Sequence, residues 1–317
     1  MTRLPRLWRW FAALLVLTAV VGGTQRIAQA RRQTDTPASE TLSSVDAVIL
    51  GAVEGITEYL PVSSTGHLVV AERALDLGQT DDSKTALDAY TVIIQFGAIL
   101  AVLILYRKRV GEVLAGLVGR SESGRRLLIN LVLAFIPAAI VGLAFSDTID
   151  EHLLKPTPVA VAWIVGGIAI LVLADRLRPG GRARGDSLDL MVPRQALLIG
   201  VAQALALWPG MSRSLVTIVG GVLVGMGIGA AVEFSFLLGL LTLTAATALA
   251  AMKDGSEVID TYGKTAPLIG IVVAGITAAF AVKSFVAYLQ KRSLKGFGWY
   301  RIAIGVVVIA LVATGVW

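Results

Sequence analysis

Two apolar stretches of this chain, residues 45–74 and 194–229, are each broken in the middle by a short proline-containing polar segment, and this constrains the fold more than anything else. The first is interrupted at Pro61-Val62-Ser63-Ser64-Thr65-Gly66 and the second at Pro209-Gly210-Met211-Ser212-Arg213-Ser214. Neither can be one plain crossing. Backbone that leaves the helix at bilayer depth is tolerated only where protein or a water-filled cavity surrounds it, because hydrocarbon offers its N–H and C=O groups no partner. Each stretch is therefore read as a re-entrant helical hairpin with its tip in a polar cavity. With 56% hydrophobic and 16% charged residues among 317, the chain has the composition of an all-α polytopic membrane protein.

Plain spans are expected at about 90–106, 127–145, 159–174, 233–252, 266–288 and 299–316. The loops between them alternate in charge. Residues 107–126 and 175–194 are rich in arginine and Lys291 to Lys295 is basic, whereas Ser146 to Pro158 and Lys253 to Lys264 carry Asp147, Asp150, Glu151, Asp254, Glu257 and Asp260. Basic loops stay in the cytoplasm. The alternation closes only if both broken hairpins return to the side they came from. Two halves with one plan follow, 41–175 and 190–317, each a re-entrant hairpin plus three transmembrane helices, in opposite orientation. Gly51-Ala52-Val53-Glu54 against Gly200-Val201-Ala202-Gln203 is a faint echo of this inverted-topology repeat. In such folds the functional site lies where the halves meet.

Residues 1–40 stand apart as an N-terminal extension: Arg3, Arg6 and Arg9 precede an apolar run from Phe11 to Gly23, and Ala28-Gln29-Ala30 has the form of a cleavage site. A cleaved signal peptide and an uncleaved signal anchor are both open. The net charge of +6 fits cytoplasmic loops against anionic headgroups, and no basic face or motif points to nucleic acid. The absence of cysteine excludes thiolate nucleophiles and Cys-ligated metals.

The breaks carry the chemistry. Glu54 and Glu58 stand four apart, on one face of a helix, and ionisable groups at the bilayer centre must face a polar cavity. Two close carboxylates repel unless a cation lies between them or one is protonated. The candidates are a divalent cation, Mg²⁺ or Ca²⁺, which takes oxygen ligands, and Arg213 from the other hairpin. Ser63, Ser64 and Thr65 precede Gly66 and His67 at the start of a returning half-helix, a place suited to an anion such as phosphate. His67 beside a serine would serve as general base or as the acid for a leaving oxygen. At the second break Arg213 supplies a fork for phosphate oxygens between Ser212 and Ser214. Blander readings stand beside these: a Glu–Arg structural pair without metal, a proton relay, and serines that only cap helices. His152 reads as a surface residue, and Glu233 and Gln95 as groups bonding at or between helices.

Taken together, Glu54-Gly55-x-Thr57-Glu58-x-Leu60-Pro61-Val62-Ser63-Ser64-Thr65-Gly66-His67-Leu68 and Ala206-Leu207-Trp208-Pro209-Gly210-Met211-Ser212-Arg213-Ser214 with Thr217 and Glu233 to Leu238 resemble the signatures of the undecaprenyl-diphosphate phosphatases linked with bacitracin resistance. The resemblance covers about residues 43–317, and departs from the family at Leu215, where glycine is usual. It implies hydrolysis of the polyprenyl diphosphate lipid carrier to its monophosphate, for cell-wall synthesis, in a bacterial inner membrane. It also implies a site open to the periplasmic or extracellular side, and it is compatible with a homodimer. By matching position, Glu54 and Glu58 would be the metal or catalytic pair, and Ser63, Ser64, Thr65 and Gly66 the phosphate cradle. His67 would be the acid/base, and Ser212, Arg213, Ser214 and Thr217 the second phosphate contacts. Either Ser64 or His67 would attack phosphorus. A transporter that flips the polyprenyl phosphate carrier is the alternative that the broken repeats leave open.

Overall fold

The computed structural model describes residues 42–179 and 187–315, and it is helical throughout, with no strand among the described residues. The N-terminal extension and its signal-like features lie outside the described residues. Eleven α-helices are described: α1 Ser44–Thr57, α2 Ser64–Ala74, α3 Asp81–Leu105, α4 Arg107–Leu117, α5 Glu122–Leu153, α6 Pro156–Val172, α7 Pro193–Ala204, α8 Arg213–Leu223, α9 Ile228–Tyr262, α10 Thr265–Leu289 and α11 Lys295–Ala313. Five of them, α3, α5, α9, α10 and α11, are long and apolar enough to cross a membrane, and α6 is a shorter apolar helix. The chain is a multi-pass membrane protein, and leucine, isoleucine and phenylalanine side chains such as Leu143, Ile140 and Phe280 stand exposed where lipid would lie.

The segments expected as acidic loops differ from that reading. Helix α5 runs on to Leu153, just before Pro156, and α9 runs on to Tyr262, where Gly263 at φ 65° ends it. Nothing in these segments breaks a helix before those residues, and at 1.5 Å per residue the 35 residues of α9 span about 52 Å, longer than a hydrocarbon core. Its acidic last turns therefore stand clear of lipid. The segment after Tyr106, expected as a loop, is in part the helix α4.

The chain's basic segments lie together. The Leu294 amide donates to the Leu177 carbonyl at 3.3 Å, and Arg109 pairs with Asp189 at 3.1 Å, with Glu112 at 2.8 Å and with Glu233 at 2.8 Å. Glu233 is thus a helix-boundary ion pair, as its position suggested. Both ends of the first interrupted stretch, Leu42 and Leu75 with Leu77, share one hydrophobic cluster with Val258 and Ala266. Both ends of the second, Met191 and Met226, share another with Leu127, Leu131 and Val113. Between them, Trp163, Phe236, Phe285 and Phe297 fill the largest cluster, directly behind the two breaks.

Candidate active site

Each break begins where proline removes a backbone donor and forces extended backbone before it. Trp208, ahead of Pro209, has φ −74° and ψ 109°, and α1 ends at Thr57 three residues before the Leu60-Pro61 step. Each break ends at a serine with positive φ that caps the next helix. Ser63 has φ 72° and ψ 104° and its side chain accepts from the Gly66 amide; Ser212 has φ 74° and ψ 115° and accepts from the Leu215 amide. Few non-glycine residues occupy this region, and its cost is tolerated where the surroundings over-determine the backbone, as at functional sites. The first two amides of α2 and α8 have no intrahelical acceptor, so both helices offer N–H groups and the positive ends of their dipoles to an anion.

The breaks meet at Glu58. One carboxylate oxygen, Oε1, accepts from Arg213 Nη2 at 3.1 Å, and the other, Oε2, accepts a short hydrogen bond from the Ser64 hydroxyl. Arg213 also donates through Nη1 to the Ser235 carbonyl at 3.0 Å and stands 5.5 Å over the Tyr59 ring. Its seat depends on Gly239, where a Cβ would come within 2.6 Å of Nη1. The Ser214 hydroxyl, linked to Ser212 at 3.1 Å, donates to the Leu60 carbonyl at 2.9 Å and so ties the second break to the first. Thr65 is exposed beside these groups.

Glu54, one turn before Glu58, is fully buried, and neither of its carboxylate oxygens has a hydrogen-bond partner among the described residues. A buried carboxylate without donors is costly unless a cation or a proton neutralises it. Its oxygens, next to those of Glu58, are the hard donors a divalent cation takes, while no group of three or more His, Cys, Asp or Glu is gathered among the described residues. The residues fit a cation that takes few protein ligands and completes its shell with water and phosphate oxygens, as Mg²⁺ does.

His67 is held differently from the way its motif suggests. Its Nδ1 donates to the Ser63 carbonyl at 2.6 Å, since a carbonyl can only accept, and the Tyr300 hydroxyl lies 2.7 Å from Nε2. The ring stacks on Tyr300 at 5.7 Å and meets Trp163 edge-on at 5.0 Å. Both nitrogens are therefore engaged away from Ser64, whose hydroxyl has Glu58 instead. The Thr217 hydroxyl donates to the Arg213 carbonyl at 2.8 Å and lies 2.7 Å from that of Ser235, so it is engaged within α8 and with α9. Leu215 is buried in the core and packs beside Gly166.

Three residues beside the breaks had no place in the sequence reading: Trp163, Tyr300 and Arg301. Arg301 is fully buried and reaches both breaks, donating to the Pro61 carbonyl at 3.2 Å and to those of Gly210 and Met211 at 2.7 and 3.2 Å. An arginine inside an otherwise apolar span was the available signal.

Residues 47–307 match the family model of the bacitracin resistance protein BacA. The chain is 43% identical over 267 residues to a protein of Sorangium cellulosum named undecaprenyl-diphosphatase, covering 84% of this chain and 85% of that protein. A protein of the same name from Thermoanaerobacter sp. (strain X514) is 42% identical over 269 residues, 85% of this chain and 97% of that protein. Undecaprenyl-diphosphatase 2 of Rhodospirillum rubrum is 44% identical over 271 residues, 86% and 96% of the two chains. Each match spans both breaks and the Glu58–Arg213–Ser64 centre, and the chain belongs to the BacA family of bacitracin resistance proteins.

Proposed function

We propose that this protein hydrolyses undecaprenyl diphosphate to undecaprenyl phosphate and inorganic phosphate, recycling the lipid carrier of cell-wall synthesis, with Ser64 as nucleophile and Glu58 as its base. The observation that carries the proposal is the Glu58 carboxylate held between the Ser64 hydroxyl and the Arg213 guanidinium. As Ser64 Oγ bonds to the terminal phosphorus, its proton passes to Glu58 and the bond from phosphorus to the bridging oxygen breaks, releasing undecaprenyl phosphate. A protonated Glu58 holds Arg213 less tightly, which frees the guanidinium for the phosphoryl oxygens as their charge builds. Water then cleaves the phosphoseryl bond: its oxygen bonds to phosphorus as the bond to Oγ breaks, Glu58 returns its proton to Oγ, and both protons of the water leave on inorganic phosphate as H₂PO₄⁻. The first amides of α2 and α8, with Thr65, Ser212 and Ser214 near them, cradle the diphosphate.

A divalent cation, Mg²⁺ or Ca²⁺, would be held by Glu54 and Glu58, and when bound would polarise a phosphoryl oxygen. His67 serves this reaction by fixing the Ser63 carbonyl, and with it the cap that aims Ser64. The two stretches are re-entrant hairpins from opposite sides, halves of an inverted repeat. Supporting this is the pairing of both ends of each stretch in one cluster, the first near the acidic end of α9 and the second near the basic α4–α5 corner. With the basic segments inside, the cavity opens outward. The relatives are named for hydrolysis, and nothing observed favours the transport alternative.

The test is phosphate release from undecaprenyl diphosphate by purified protein. Wild type should release phosphate and Ser64→Ala should release essentially none while remaining folded; a Ser64→Ala protein with wild-type turnover would remove Ser64 from the mechanism.

A further inference from the structure

An anion site made of broken helices has a difficulty that intact helix ends lack. Each break exposes carbonyls as well as amides, and carbonyl oxygens repel a diphosphate as strongly as amides attract it. In water the carbonyls would be hydrated, but at bilayer depth they need protein donors. Four successive carbonyls of the first break each receive one. The Leu60 carbonyl accepts from Ser214 Oγ at 2.9 Å, that of Pro61 from Arg301 Nη1 at 3.2 Å, that of Val62 from Trp163 Nε1 at 2.7 Å and that of Ser63 from His67 Nδ1 at 2.6 Å. In the second break the carbonyls of Gly210 and Met211 both accept from Arg301 Nη2, at 2.7 and 3.2 Å.

Arg301 donates to carbonyls of both breaks, and its seat is cut for it: a Cβ on Gly166 would come within 2.3 Å of Nη2. Trp163 has a similar seat, since a Cβ on Gly66 would come within 2.5 Å of its Cζ2. Burying a guanidinium is costly, and stability alone would be served as well by an apolar side chain of the same volume. The four acceptors of Arg301, with the Ala162 carbonyl at 3.1 Å as the fourth, are all backbone, so what its charge secures is backbone position.

We propose that Arg301 and Trp163 are positioning residues for the hydrolysis. They draw the carbonyls of both breaks to one side, leaving the amides of α2 and α8 to face the diphosphate, and Arg301 fixes the separation of Ser64 from Arg213. Neither touches the Glu58–Arg213–Ser64 centre. The inference rests on the two-break site proposed above.

The test is steady-state phosphate release from undecaprenyl diphosphate by full-length protein in lipid nanodiscs, with thermal unfolding followed on the same samples. Trp163→Phe keeps an aromatic ring and loses the donor; Arg301→Lys keeps the charge and loses the fork, and Arg301→Met loses both. Displaced reacting groups should lower kcat about 10- to 100-fold in Trp163→Phe and Arg301→Lys, with KM within about threefold of wild type and unfolding temperatures close to it. Arg301→Met should be the slowest. Wild-type kcat in folded Trp163→Phe and Arg301→Lys would overturn the proposal, as would activity lost only in proportion to the folded fraction. Ser64→Ala in the same assay separates the two levels. If it is inactive while the positioning variants are normal, this inference alone fails; if it is active, the site itself is wrong and the inference falls with it.

Discussion

At the first break Ser63 takes φ 72° and ψ 104°, at the second Ser212 takes φ 74° and ψ 115°, and each serine caps its helix through the amide three residues on. The side chains set on these matched backbones differ sharply. One turn before Glu58 in the first stretch stands Glu54, a buried carboxyl group without donors; in the second stretch Gln203 is a neutral amide whose Nε2 donates to the Ala134 carbonyl at 3.3 Å. The first residue of the helix after the break is Ser64 in one and Arg213 in the other. The backbone device, two free amides at a capped helix start, is thus used twice, while the serine–carboxylate pair and the unpartnered carboxylate each occur once. A site with one acidic and one basic half suits a reaction in which one group gives up a proton and the other meets growing negative charge.

The sharpest way to break this division of labour is to remove the side chain unique to the first break. Ser64→Ala should lower phosphate release by on the order of 10⁴-fold or more, as losses of a nucleophile do. Removing its counterpart, Arg213→Ala, should cost about 10³-fold, the lower end for an arginine that stabilises a transferring phosphoryl group. Both are read from initial rates on folded protein. Glu54→Gln gives the first stretch the residue type of the second. It should lower turnover about 10²-fold, within the range found for general catalysts, and weaken the binding of Mn²⁺ followed by paramagnetic resonance; EDTA should stop the wild-type enzyme. The smallest effects test the likeness of the two backbones. Ser63→Ala and Ser212→Ala each remove one cap and should each lower unfolding stability by about 1 kcal/mol in detergent, by similar amounts. A large inequality there would mean that the two caps are not equivalent.

Much of this architecture can be read from the residues themselves. Five of the six plain spans are visible as hydropathy, because a crossing must satisfy its backbone within one helix, and the breaks are visible because proline and serine runs cannot continue one. Arg213 is one of the partners that charge allows two carboxylates four apart, and it pairs with Glu58. The acidic stretches read as loops are helix, since Asp254, Glu257 and Asp260 change solvent preference without breaking a helix. The engagement of His67 depends on Tyr300, 233 residues away, and so no local spacing reports it. Arg301 stands two residues into a span expected to start at 299, and only the fold, by carrying it against both breaks, shows what it binds. What is hidden in each case is a contact between distant segments, and the interior polar residue is its one local trace.

The central claim is that both breaks form one site, and a double-mutant cycle across their contact tests it most directly. Glu58→Asp and Arg213→Lys each preserve charge and shorten or reshape one side of the 3.1 Å pair. Rates of phosphate release would be measured for the two single variants and the double variant. Groups that act as a unit lose most of their effect with the first change, so the double variant should be little slower than the slower single variant. A double variant whose loss equals the product of the two single losses would mean that the breaks act independently, and the one-site reading would be wrong.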